Sequence, residues 1–138
     1  IWKKMVDKKI KWLIYTVLVG LIPIAARLLI CQVIEQGNIE SFKTTDFVAF
    51  GLILHISIIN EIEHWNSSDK SWKTVQNGVS ISFIAFYSIL FAVSLLGDAQ
   101  PGLLDNDTIK ISAMVLSVVS FLLSFSVFDR ISKLSKGF

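Results

Sequence analysis

Along this chain four long apolar runs alternate with short polar stretches, at about 13–34, 47–65, 79–96 and 109–128. Crossing a hydrocarbon layer about 30 Å thick takes about 20 residues of α-helix at 1.5 Å rise per residue, and each run has close to that reach. The pattern predicts an all-α polytopic membrane protein, four transmembrane helices in a single bundle over residues 1–138, with little chain left for a soluble domain. Pro23 falls inside the first run, where its missing N–H and its ring predict a kink near Val19 or Gly20. The second run turns polar toward its end through His55, Asn60, Glu61, Glu63 and His64. The third and fourth carry no charge after their first residues and read as ordinary spans.

Composition points the same way. Of the 138 residues 53% are hydrophobic and 17% charged, against about a quarter charged in a soluble domain. The lysines before the first run and the small pair Ala25–Ala26 imitate a secretory signal, but the run resumes after Arg27 as Leu28-Leu29-Ile30-Cys31 and is long enough to span. Cys31, the single cysteine, permits no intrachain disulfide and is expected to act as a small buried hydrophobe.

The positions of the cations set the orientation. Lys3, Lys4, Lys8, Lys9, Lys11, Lys70, Lys73, Arg130, Lys133 and Lys136 all fall on one side of the layer, and only Lys43 and Lys110 on the other. Short loops rich in Lys and Arg stay inside, so both ends are expected in the cytoplasm, of a bacterial inner membrane by preference. Trp2, Trp12, Trp65 and Trp72 fall on that same side, at the level where amphipathic rings favour the headgroup layer. The net charge of +2 is thus spent on topology and does not indicate direct nucleic-acid binding. Lys8, Lys9, Lys11, Lys70, Lys73, Arg130 and Lys133 form the surface expected to meet anionic lipid or a cytosolic protein.

Two small-residue stripes are candidates for close helix contact: Gly78, Ser82, Ala85 and Ala92 on the third run, and Ala113, Ser117, Ser120 and Ser124 on the fourth. Packing inside one bundle is the first reading and contact between subunits the second; Phe83, Phe86, Phe121 and Phe125 then face lipid or fill gaps. Ionisable groups within apolar runs need a partner, water or a purpose. Arg27 is expected to snorkel outward or to pair with Asp46 or Asp98, the alternative being a pore or ligand role. His55 near the midplane is expected as a neutral imidazole bonded to a neighbouring helix, with a proton relay or gate as the alternative. Asn60, Glu61 and His64 share another face of that helix, read as a solvated helix end or a polar mouth.

No HExxH, GxSxG, phosphate loop, cysteine cluster or selectivity-filter sequence is present, so no enzymatic reaction, cofactor or metal is expected. Asn106-Asp107-Thr108 fits a glycosylation acceptor, relevant only to a eukaryotic secretory route. The layout of four short spans with cytoplasmic ends, Arg27 and a His55-to-His64 helix resembles the small membrane components of bacterial anti-phage systems of the Kiwa type. That resemblance implies an oligomeric membrane sensor holding a cytosolic nucleic-acid-binding effector, and carries no residue roles. The expected function is a non-enzymatic homo-oligomeric membrane subunit that senses the membrane and docks a cytosolic partner. The alternative is an oligomeric ion channel lined by the second helix.

Overall fold

The computed structural model describes residues 10–64, apart from 36 and 38, and residues 69–136. Four helices follow in order: α1 (Ile10–Val33), α2 (Thr44–His64), α3 (Lys70–Ala99) and α4 (Asn106–Lys136). All four contain stretches long and apolar enough to cross a membrane. Lys3, Lys4, Lys8, Lys9, Trp2 and Trp65 lie outside the described residues.

Both long helices outrun the apolar spans read from the sequence. At 1.5 Å per residue, the 30 residues of α3 and 31 of α4 reach about 45 Å, against about 30 Å of hydrocarbon. Their starts explain part of the excess. Asp69 caps α3 by accepting from the Trp72 backbone N–H at 3.2 Å, so the helix starts well ahead of the polar pair Gln76 and Asn77. Asp105 caps α4, accepting from Thr108 N–H at 3.2 Å and Thr108 Oγ1 at 2.7 Å.

Those two bonds hold the Asp105 carboxyl below the usual carboxylate range. The cap is complete above the ordinary carboxyl pKa and is lost only as pH falls through the lowered value. Asp105→Ala is expected to fray the first turn of α4 at neutral pH, read as lost hydrogen-exchange protection at the Thr108 and Ile109 amides. Unchanged protection would show that the cap contributes nothing.

The helices do not form a symmetric bundle. α2 is the central element and packs against each of the other three, whereas α1 packs along α2 alone through its backbone. The inward face of α2 carries Val48, Phe50, Gly51, Leu54, His55, Ile58 and Ile62, all buried, so the helix that reads as least lipid-like is the one most enclosed by protein. Gly20 lets α1 approach α2, since a Cβ there would press on the Phe50 ring. Gly51 does the same for α2 and α3, where the Tyr87 ring fills the space a Cβ would need.

Along α1 the irregularity is a π-helical stretch, Leu13–Leu18, followed by regular α-helix from Val19 to Val33 that continues through Pro23. The departure from α geometry thus ends just before the position the proline predicts. Trp12 anchors this helix laterally, its ring stacked on Phe128 at 4.7 Å and on Phe121 at 6.2 Å between centroids. It is 3% exposed, so its indole belongs to the protein core rather than to a headgroup layer.

Candidate functional site

His55 is the centre of a hydrogen-bonded layer that joins three helices. α2 carries its imidazole inward; α3 supplies Ser80 and, two turns on, Tyr87; α4 supplies Ser120. His55 Nδ1 lies 3.2 Å from Ser80 Oγ and Nε2 lies 2.8 Å from Ser120 Oγ, which in turn lies 2.6 Å from Tyr87 Oη. Phe83 stacks on the imidazole at 4.7 Å. The four polar residues have no solvent exposure.

A neutral imidazole has one donor and one acceptor nitrogen, so the layer has two self-consistent polarities. In one, Tyr87 donates to Ser120, Ser120 donates to Nε2, and Nδ1–H donates to Ser80. In the other, Ser80 donates to Nδ1, Nε2–H donates to Ser120, and Ser120 donates to Tyr87. Each satisfies all three contacts.

The Ser120–His55 distance matches that of a nucleophile and its base. Here the other ring nitrogen meets a serine instead of an orienting carboxylate, and the pair is sealed from solvent. What this arrangement does in an apolar surrounding is fix the register of three helices, because each polar group would lose its partner if one helix slid or turned.

The small-residue stripe of α4 lies on this face: Ala113, Ser117, Ser120 and Ser124 are all buried. On α3 the first reading, packing inside one bundle, does not hold. Gly78, Ser82, Ala85 and Ala92 are exposed, and the helix turns inward its Ser80–Tyr87–Ser94–Gly97 face instead. Ser82 bonds its own helix, donating to the Gly78 carbonyl at 2.9 Å. Of the aromatic residues, Phe86 and Phe125 are exposed, whereas Phe83 and Phe121 pack against the core.

Asn60 and His64 stand apart from this layer. His64 Nδ1 donates to the Asn60 carbonyl at 2.8 Å, and both side chains are exposed, with Glu61 half-buried beside them. Among the described residues no cluster of His, Cys, Asp and Glu could hold a metal ion.

Charged groups collect at the two ends of the helices. Where the 34–43 and 100–105 connections meet, Arg27 Nε donates to Asp46 Oδ2, Lys43 lies 3.8 Å from Asp98, and Lys110 lies 3.5 Å from Glu40. Of the two partners read for Arg27, Asp46 takes it and Asp98 takes Lys43 instead. Cys31 is half-exposed and donates to the Ile39 and Glu40 carbonyls at 3.4 Å, which ties the connection to α1; it is a polar clasp rather than a buried hydrophobe. At the opposite end the Arg130 guanidinium lies 4.5 Å over the Trp72 ring and 3.3 Å from Asp69, with Lys133 bonded to Asp129 at 3.1 Å. Lys11 and Lys70 are exposed at this same end.

Sequence reasoning singled out His55, Ser120 and Arg27 but missed Ser80, Tyr87 and Gly51. The available signal was the seven-residue spacing of Ser80 and Tyr87, which places both on one helix face around Phe83. Comparison with family models, with curated proteins and with solved structures finds no match to this chain.

Proposed function

We propose that this protein is an integral membrane subunit without enzymatic activity, which oligomerises, responds to the state of the bilayer and docks a cytosolic protein. Both chain ends then lie in the cytoplasm, by the ten-to-two distribution of Lys and Arg. The observation that carries the reading is that the two ends of the helices differ in reach and in number of cations. At one end the three described cations Arg27, Lys43 and Lys110 each meet a carboxylate. At the other, α3 and α4 continue beyond the length needed to cross and carry Lys70, Lys73, Arg130 and Lys133, with Arg130 over the Trp72 ring and bonded to Asp69, and Lys133 bonded to Asp129. A helical ledge rich in Lys and Arg suits an acidic protein surface.

The response to the bilayer belongs to α1. Ile14, Tyr15, Leu18, Ile22, Leu29 and Val33 are exposed along it, and its attachments are α2 and the Trp12 stack. The layout shared with anti-phage membrane components makes a defence effector the first candidate for the docked protein. A channel lined by α2 is less favoured, because its membrane-centre polar residue is enclosed by its own protomer.

Purification in mild detergent, with native mass measurement, tests the reading. An oligomer retaining one defined cytosolic protein is expected, with retention lost in a Lys70→Glu/Arg130→Glu/Lys133→Glu variant that still floats with liposomes. Charge-selective ion flux through reconstituted liposomes, with no retained protein, would replace the subunit reading by the channel.

A further inference from the structure

The outward-facing side of α1 is cut by a groove of about 330 Å³ lined by Pro23, Ala26, Arg27, Ile30, Ile39 and Asp46. Its walls are apolar and its one polar feature is the Arg27–Asp46 pair. Ala26 and Ile30 are exposed, so the groove opens on helix surface that meets hydrocarbon under the membrane reading. Asp46 stands in the first turn of α2, which places the pair where that helix enters the apolar layer.

The pair is incompletely used. A guanidinium offers five N–H donors, and only Arg27 Nε donates, to Asp46 Oδ2. Among the described residues no acceptor reaches its two terminal nitrogens, and Asp46 Oδ1 has no side-chain donor. Donors and acceptors left open beside apolar walls are costly, and a ligand that satisfies both signs at once gains most.

We infer that the groove seats one phospholipid whose headgroup carries both a phosphate and a primary ammonium. The phosphate accepts from the terminal nitrogens of Arg27, the ammonium donates to Asp46 Oδ1, and an acyl chain lies along Ala26 and Pro23. A lipid bearing only negative charge would bring its phosphate beside the Asp46 carboxylate with no cation to compensate. A choline headgroup has no N–H to give that carboxylate. The Cys31 clasp on the Ile39 and Glu40 carbonyls holds the wall that closes the groove from the connection side.

This seat rests on the membrane insertion proposed above, and the test separates the two. Delipidated wild-type protein in mild detergent is titrated with phosphatidylethanolamine, phosphatidylcholine and phosphatidylglycerol and read by native mass spectrometry, and the same chain is tested for flotation with liposomes. One phosphatidylethanolamine per chain is expected to bind about tenfold more tightly than either other lipid, the factor that one charge-assisted bond of about 1.4 kcal/mol provides. Arg27→Lys, which keeps the charge and loses the fork, is expected to weaken all three lipids alike, whereas Asp46→Asn, which loses the carboxylate charge that meets the ammonium, is expected to remove that preference. Equal binding of the three lipids by a wild-type chain that floats would overturn the seat alone. A chain that fails to float would overturn the membrane reading and the seat with it.

Discussion

Gly51→Ala is expected to prevent stable assembly of α2 on α3. The added methyl would occupy the space of the Tyr87 ring, which is fully buried and cannot retreat without breaking its hydroxyl bond to Ser120. Overpacking costs about 1–3 kcal/mol and an orphaned buried hydroxyl about as much again, so the folded-to-unfolded ratio should fall about a hundredfold or more. The measurement is the SDS or thermal unfolding midpoint of purified protein in bicelles. Tyr87→Leu in the Gly51→Ala background removes the atoms that collide and is expected to recover a large part of the loss. A Gly51→Ala chain as stable as the wild type would mean that α2 and α3 do not meet at this crossing.

Ser120 is the second position with a large expected effect, and Ser124 one turn away is its control. Ser120 Oγ serves both His55 and Tyr87, so Ser120→Ala removes the partner of His55 Nε2 and of Tyr87 Oη, while His55 Nδ1 keeps Ser80. Interhelical hydrogen bonds in membranes are worth about 0.6 kcal/mol on average and up to about 1.7, so the double loss should reach about 2 kcal/mol, a thirtyfold drop in the folded ratio. Tyr87→Phe removes only one bond and should cost about a third of that. Ser124 Oγ is equally buried but has no hydrogen-bond partner among the described residues, and Ser124→Ala is expected to be neutral or stabilising. Equal effects of Ser120→Ala and Ser124→Ala would show that small size at these positions matters and the bonded layer does not.

The number and order of the helices were legible because each is a long, nearly unbroken apolar run, a pattern visible in one dimension. The inward face of α4 was legible for a related reason: its small hydroxyl residues recur at helical spacing among large apolar ones. The inward face of α3 was not. Small residues occur on two of its faces, and a small residue turned to lipid carries no penalty, so Gly78, Ser82, Ala85 and Ala92 gave no direction. Direction came instead from His55, whose two ring nitrogens draw Ser80 and Ser120 toward α2. That choice depends on three helices meeting at one height, which no single run encodes.

Arg27 illustrates the same limit at the helix ends. Its need for a partner followed from its position in an apolar run, but Asp46 and Asp98 were equivalent in sequence. The geometry separates them because Lys43, on the connection next to α2, occupies Asp98. The central place of α2 was foreshadowed only indirectly, by its being the least lipid-like of the four runs. A helix shielded by neighbours on several sides can carry an imidazole that a lipid-exposed helix could not.

Impermeant maleimide labelling of single cysteines tests four-span insertion most directly. In a Cys31→Ser background, cysteine is introduced at Ser71, exposed near the start of α3, or at Leu103, exposed in the turn between α3 and α4. Insertion with both ends inside requires that Leu103→Cys react in intact cells and Ser71→Cys react only after permeabilisation. Equal labelling of both from one side would contradict it.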